Sequence, residues 1–129
     1  MDIDNPGSAL DRSGEPNSVP KIVGAIERNQ PIGVRDVEFL KANSNCEIKI
    51  TVPGPFTISQ QAQNDFYSTE RAWALGYANS VKAEIKDLFA AGANLVQIDE
   101  PYMQSRPEKA REFGIEALNK ALEDVNGTT

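Results

Sequence analysis

Two adjacent carboxylates, Asp99 and Glu100, follow a short apolar run and are followed at once by Pro101. Carboxylates bind cationic groups and transfer protons, so a pair of them at one point of a chain can form a binding or catalytic site. Neighbouring side chains on an extended chain point to opposite sides. One carboxylate can therefore face a ligand while the other bonds to the surrounding backbone. On spacing alone, a capped turn is the commoner explanation of Asp-Glu-Pro.

A second stretch, Pro53-Gly54-Pro55, follows the alternating run "EIKITV". Two prolines around a glycine restrict the backbone to few conformations, which is typical of a rigid turn. In parallel α/β folds the ligand site lies at the carboxyl ends of the strands. We therefore predict that Gly54 and Pro55 form a loop near the site that contains Asp99 and Glu100.

Several kinds of chemistry are excluded by composition. The chain has no histidine and a single cysteine, Cys46. Its own residues therefore cannot form a Ser-His-Asp or Cys-His pair, or a zinc site of the usual His/Cys type. One cysteine cannot form an internal disulfide, which fits a reducing compartment. We expect Cys46 to be an inert, buried or half-buried thiol.

The overall composition is that of one globular domain of 129 residues, 40% hydrophobic and 25% charged, with a net charge of -6. This acidic balance argues against nucleic acid or an anionic membrane as partner, since both are bound by basic patches. No run approaches the roughly 20 apolar residues of a membrane span, and the acidic, polar N-terminus is unlike a signal peptide. We expect a cytoplasmic protein with a small-molecule or protein partner.

The elements that position these residues alternate between strands and helices. Short apolar runs predict strands over residues 20–26, 47–54 and 94–98. Apolar stripes and capping residues predict helices over residues 33–43, from Ser68 or Thr69 to Ala91, and from Ser105 as the N-cap to about Val125. Residues 1–18, rich in Gly, Pro, Ser, Asn and Asp, are predicted to be a flexible N-terminal segment, which leaves 19–129 as the domain.

Burial can also be predicted along these elements. The almost wholly apolar strand at 94–98 is expected to be buried on both faces, as in a parallel sheet. Trp73 and Tyr77, four residues apart on the long helix, are expected to pack in the core. Lys82 and Glu84, on the same helix, are expected on its solvated face.

The order strand, helix, strand, helix, strand, helix indicates an α/β fold with parallel strands and right-handed crossover helices. Two architectures share this order: an open doubly wound sheet and a (β/α)8 barrel. A complete barrel needs about 250 residues, so this chain could hold about three of its eight units. The expectation is either a small open sheet or a piece of a larger barrel.

Two segments together, "IKITVPGPFTI" and "AEIKDLFAAGANLVQIDEP", resemble the catalytic barrel of the cobalamin-independent methionine synthase family. That family combines a lysine-bearing strand running into a Gly-Pro loop, a helix ending in Ala-Gly-Ala, and a strand ending in Gln-Ile-Asp-Glu-Pro. The resemblance covers about residues 19–125. It implies part of a (β/α)8 TIM barrel of the methionine synthase and uroporphyrinogen decarboxylase type.

The resemblance implies a function, the zinc-dependent transfer of a methyl group to the thiol of homocysteine to form methionine. It implies that Asp99 binds the amino group of homocysteine, with Glu100 as its supporting neighbour. It also implies zinc ligands in a His-x-Cys pair on a later strand, whereas this sequence reaches Thr129 with no histidine. We therefore expect an internal fragment that supplies no metal ligand, is inactive alone, and associates with itself or with the remainder of the barrel.

The methyl donor and two other functions are left open. Classical members carry a Trp after the Gly-Pro loop that stacks on the folate donor, whereas this sequence has Gln60 and Gln61 there. The donor is therefore a folate, a corrinoid protein or another group. The alternatives are a related enzyme acting on another thiol, of the epoxyalkane:coenzyme M transferase type, and a small non-catalytic α/β binding protein.

Overall fold

The structure is a computed structural model that describes residues 1–129. Five strands are present: β1 (Asp2–Leu10), β2 (Pro16–Ile22), β3 (Lys49–Pro53), β4 (Gln63–Asn64) and β5 (Leu95–Asp99). The helices are α1 (Val34–Asn43), α2 (Pro55–Ser59), α3 (Glu70–Ala91), α4 (Pro101–Ser105), α5 (Pro107–Lys109) and α6 (Ile115–Leu122), with a π-helical turn at Ala110–Gly114 between the last two. No helix is both long and apolar enough to cross a membrane.

The parallel pair β3 and β5 carries the candidate site. The two strands pair without a break, from Lys49 opposite Leu95 to Pro53 opposite Asp99. The long helix α3 lies between them in the chain and packs on one face of the pair. This arrangement confirms the predicted α/β class with parallel strands and crossover helices.

Helix α3 begins and ends where the sequence predicts. The Thr69 hydroxyl accepts a hydrogen bond from the backbone N–H of Ala72, at 3.1 Å, and so caps the first turn. Gly92 ends the helix with φ of 107°, a left-handed conformation that favours glycine because it has no Cβ. Both signals are local, which explains why the sequence suffices to place them.

The core forms where α3 covers the β3–β5 pair. Val81, Ile85 and Leu88 of α3 pack with Val52 and Val96 from the strands. A second cluster joins Phe56 to the last helical segment. Trp73 and Tyr77 are buried beside β2, as expected.

The opposite face of the β3–β5 pair is open. Lys49, Thr51, Gln97 and Asp99 are all exposed there. The expectation that residues 94–98 are buried on both faces is therefore wrong, because the described helices lie on one side only.

The N-terminal residues differ from the prediction of a loop or tail. β1 and β2 pair antiparallel, and β2 also pairs parallel with the two residues of β4. The Asp11 side chain accepts hydrogen bonds from the backbone of Ser13 (2.7 Å) and Glu15 (3.0 Å), and Gly14 takes a φ of 90°. This turn closes the hairpin. The strand predicted at 20–26 consequently lies at 16–22, in a separate sheet from β3 and β5.

The last helix also begins differently. Ser105 ends the short helix α4, and its hydroxyl donates to the carbonyl of Tyr102 at 3.3 Å. Arg106, not Ser105, precedes α5, and it makes no side-chain cap. The prediction of Ser105 as the N-cap is wrong because Pro101 starts an additional helical turn directly after β5.

Two further expectations about burial are corrected. Glu84 is only 6% exposed instead of solvated. Its carboxylate accepts hydrogen bonds from Arg28 and from the backbone N–H groups of Ile32 and Gly33, so it ties α3 to the segment before α1. Cys46, expected to be at least half buried, is exposed in the connection between α1 and β3.

Candidate functional site

The carboxyl ends of β3 and β5 lie side by side. Pro53 pairs with Asp99, and the backbone N–H of Gly54 donates to the carbonyl of Asp99 at 2.8 Å. The Pro53-Gly54-Pro55 turn is therefore joined by a backbone hydrogen bond to the end of β5, where the two carboxylates lie. Gly54 is the residue that precedes helix α2, and Pro55 is its first residue.

Glu100 points toward the start of α2. Its carboxylate accepts hydrogen bonds from the backbone N–H groups of Phe56 (3.0 Å) and Thr57 (2.7 Å). These N–H groups have no partner inside the helix, so a carboxylate is a favourable acceptor for them. Burial raises the pKa of the Glu100 carboxyl above its ordinary value, and the hydrogen bonds from Thr57 and Phe56 oppose that rise. Glu100 thus joins the end of β5 to the loop after β3.

Glycine is required at position 54 by the close approach of Glu100. A Cβ on Gly54 would lie 2.2 Å from the nearer carboxylate oxygen, Oε1. A carbon and an oxygen that are not covalently bonded do not approach that closely, so a larger residue would displace the Glu100 carboxylate. The absence of a side chain at Gly54 therefore leaves the space that the carboxylate of Glu100, in the Asp-Glu-Pro motif, occupies.

Asp99 faces the other way, onto the open face of the β3–β5 pair. Its Oδ1 accepts a hydrogen bond from Gln97 Nε2 at 2.7 Å. Gln97 Oε1 in turn accepts from Lys49 Nζ at 2.9 Å. The adjacent carboxylates diverge, as strand alternation predicts, with Asp99 toward solvent and Glu100 toward backbone.

Sequence reasoning did not identify Lys49 and Gln97 as neighbours of Asp99. The spacing of Gln97 and Asp99, two residues apart on a strand, places both on one face. The parallel register then brings Lys49 close to Gln97, since Lys49 lies opposite Leu95. That register could not be read from the chain alone.

The residues of this chain do not fit a bound zinc ion. No three side chains among His, Cys, Asp and Glu lie close enough together to hold a metal. Cys46 precedes β3 by three positions, whereas Asp99 lies beside the last residue of that strand. We therefore derive no chemical step through zinc from these residues.

Gln60 and Gln61, which replace the expected Trp, border a separate cavity of about 160 Å³ between β1, β2 and Tyr102. Gln60 is buried, donates to Ser59 Oγ at 3.0 Å, and accepts from Arg106. Arg106 lies over the Tyr102 ring at 5.0 Å and also donates to the carbonyl of Leu10. Gln60 is therefore part of the contact between the N-terminal hairpin and α4.

The sequence matches the family model described as "Cobalamin-independent synthase, Catalytic domain" over residues 7–125. It is similar to a methionine synthase of Saccharolobus solfataricus, at 37% identity over 108 residues, and to one of Sulfolobus acidocaldarius, at 35%. Each alignment covers 83% of this chain and 32% of the relative. The chain thus spans about a third of the length of the curated relatives it matches.

A solved structure is also similar. It is described as a B12-independent methionine synthase from Shewanella sp. W3-18-1 in complex with selenomethionine. The TM-score is 0.90 at 29% sequence identity, and the match covers 98% of this chain and 37% of the other.

Proposed function

This chain belongs to the family of cobalamin-independent synthase catalytic domains, and from that membership we propose that it forms a substrate-binding part of a methionine synthase. The whole protein would transfer a methyl group to the thiol of homocysteine. The family and the barrel-type fold inferred from the sequence are both confirmed. The activity and the roles of individual residues are proposals.

Asp99 is the proposed ligand of the homocysteine ammonium group. The observation that carries this proposal is its position: Asp99 is an exposed carboxylate at the carboxyl end of a parallel strand, where ligands bind in α/β folds. Its Oδ1 is bonded to Gln97, and no protein group donates to Oδ2. A carboxylate oxygen accepting from an ammonium makes a short, charge-assisted hydrogen bond.

Holding the ammonium at Asp99 would orient the thiol end of the substrate. An amino acid anchored at one end loses much of its freedom before reaction, which brings the sulfur into line with the methyl donor. The solved structure of the Shewanella relative contains selenomethionine, which carries the same α-ammonium group as homocysteine. This ligand supports an amino-acid site in the family.

Glu100 has a supporting role in this proposal. Both of its carboxylate oxygens accept backbone N–H groups of α2, so they are not aimed at the open face where Asp99 lies. Gly54 and Pro55 have a supporting role as well. The backbone N–H of Gly54 donates a hydrogen bond to the carbonyl of Asp99, and the Glu100 carboxylate packs closely against Gly54.

The remaining requirements of methyl transfer lie outside these residues. A metal that activates the thiol, as expected for the family, would be held by groups other than those of this chain. The methyl donor would be a folate, a corrinoid protein or another group. Because the family is described as cobalamin-independent, a corrinoid would be a donor and not the cofactor of the enzyme itself. The 129 residues alone would be inactive in methyl transfer, and the protein would act in the cytoplasm.

Transfer to coenzyme M is the weaker candidate. That thiol carries a sulfonate and no ammonium, so an exposed Asp99 carboxylate would repel it. A binding protein without catalysis would retain the amino-acid site and lack only the transfer.

Calorimetric titration of the protein, as it is made in the cell, with L-homocysteine tests the proposal. We expect Asp99→Asn to weaken binding at least tenfold, because a hydrogen bond to a charged group contributes about 1.5–3 kcal/mol. Asp36→Asn, an exposed aspartate on α1, is the matched control and should leave the affinity unchanged. Equal binding by the wild-type protein and Asp99→Asn would overturn the role of Asp99, and preference for coenzyme M would favour the alternative.

A further inference from the structure

Three polar side chains form a continuous row on the open face of the β3–β5 pair. Lys49 Nζ donates to Gln97 Oε1 at 2.9 Å, and Gln97 Nε2 donates to Asp99 Oδ1 at 2.7 Å. The row crosses from β3 to β5 and then follows β5 to its carboxyl end. No helix or loop of these 129 residues covers it.

The chemistry of the two end groups fixes the orientation of the amide between them. A lysine ammonium can only donate hydrogen bonds, and an ionised carboxylate can only accept them. The Gln97 amide must therefore present its oxygen to Lys49 and its nitrogen to Asp99. The reverse orientation would place two donors together at one end and two acceptors together at the other.

From this geometry we infer that Gln97 and Lys49 are positioning residues for Asp99, which hold its carboxylate with Oδ1 occupied and Oδ2 free for the ammonium group of the substrate. The inference rests on the proposed role of Asp99 and extends it to two residues that do not themselves touch the ammonium.

Pre-organisation is the physical reason for such a row. An exposed aspartate samples several rotamers, and binding must select one of them at a cost in entropy. The bond from Gln97 selects the rotamer before the substrate arrives. Lys49 in turn holds the Gln97 amide, and its positive charge strengthens the polarisation of that amide toward Asp99.

Comparing the binding of two ligands distinguishes a loss of Asp99 positioning from general damage to the fold in the variants. L-homocysteine carries the ammonium group, whereas its amine-free analogue has hydrogen in place of the amino group and keeps the thiol and the carboxylate. In the protein as it is made in the cell, we expect Gln97→Met to weaken homocysteine binding about tenfold. Lys49→Met should weaken it by a smaller factor. Both variants should bind the amine-free analogue as the wild-type protein does.

The controls use residues of the same type outside the row. Gln30→Met and Lys86→Met, both at exposed positions, should change neither affinity. Lys49→Arg should restore most of the homocysteine affinity because a guanidinium also donates to the Gln97 oxygen. Unchanged homocysteine binding by Gln97→Met, or equal weakening of both ligands, would overturn the inference. If Asp99→Asn also binds homocysteine normally, the proposed role of Asp99, on which the inference rests, itself fails.

A second readout does not depend on a ligand. At neutral pH the side-chain amide protons of Gln97 should have different NMR shifts in Asp99→Asn than in the wild-type protein, because the acceptor of their hydrogen bond has changed. Asp36→Asn should leave those shifts unchanged. Gln97 amide shifts that are the same in Asp99→Asn as in the wild-type protein would show that the row does not exist in solution.

Discussion

Asp99 and Glu100 are neighbours in sequence with opposite environments. Asp99 is exposed on the open face of the strand pair, and Glu100 is turned toward the backbone of α2. The sequence predicts this divergence because strand side chains alternate. It also predicts that the Gly-Pro loop lies near them. The contacts with Gln97 and Lys49 depend on the register between two strands that are 41 residues apart in the chain, so local patterns could not reveal them.

Glu100 should titrate above the ordinary glutamate value of 4.5, since burial raises the pKa of its carboxyl. A carboxyl whose pKa is higher in the folded than in the unfolded chain favours folding when protonated. Its contribution to the free energy of unfolding is therefore fully present below the unfolded pKa and is lost as pH rises through the folded pKa.

Carbon-13 NMR of the Glu100 side-chain carboxyl checks this titration directly. The midpoint is compared with 4.5, the ordinary value of a glutamate carboxyl. A Glu100 midpoint at or below 4.5 would mean that the N–H bonds from Phe56 and Thr57 outweigh burial.

Gly54→Ala should destabilise the fold, because its Cβ would collide with the Glu100 carboxylate. Steric insertions of this kind cost about 1–3 kcal/mol of unfolding free energy. Gly24→Ala is the matched control, since a Cβ there meets no atom within 4 Å. Urea denaturation measures both variants, and equal stability of the two would show that Glu100 moves aside without cost.

Among the helices and strands, local sequence signals were sufficient to predict the ends of the long helix α3. They were insufficient to predict the N-terminal hairpin of β1 and β2. Thr69 and Gly92 mark the ends of α3 by capping, a property of a few adjacent residues. β1 and β2 contain few apolar residues, so they carry little of the alternation that indicates a strand. The turn from Asp11 to Glu15 is the one local signal of the hairpin, and its residue types are equally typical of a loop.

Glu84 is the principal polar link between α3 and the segment that precedes α1. Glu84→Ala would leave the Ile32 and Gly33 N–H groups and one side of Arg28 without their acceptor. We expect a loss of about 2–3 kcal/mol in the free energy of unfolding. Lys86→Ala, at an exposed position on the same helix, should change stability by less than about 0.5 kcal/mol. A loss for Glu84→Ala no larger than that of the control would contradict this role.

At the scale of the whole molecule, the family resemblance and the α/β class were both recoverable from sequence motifs. The division of the strands into two sheets was not, because it depends on the pairing of β2 with β1 and β4 instead of with β3. The burial expected on both faces of β5 failed for a related reason. An apolar strand sequence shows that both faces of the strand are suited to burial. It does not show which helices or strands are present to cover them.

The 129-residue chain should self-associate in solution. Ile32, just before α1, is 82% exposed, and Phe39, within α1, is 66% exposed. One edge of β3 also has no pairing partner. Exposed apolar side chains and unpaired strand edges favour contacts between copies. Sedimentation velocity should show oligomers that Phe39→Glu reduces and Phe66→Glu, at an exposed loop position, does not. A wild-type chain that sediments as a monomer and melts cooperatively would contradict this expectation.

The role of Asp99 is decided by a structure of the protein, as it is made in the cell, bound to L-homocysteine. We expect the ammonium nitrogen to lie about 2.7–2.9 Å from Asp99 Oδ2, the length of a charge-assisted hydrogen bond, while Gln97 keeps its hydrogen bond to Oδ1. Homocysteine bound with its ammonium away from Asp99, or at a place other than the carboxyl ends of β3 and β5, would contradict it.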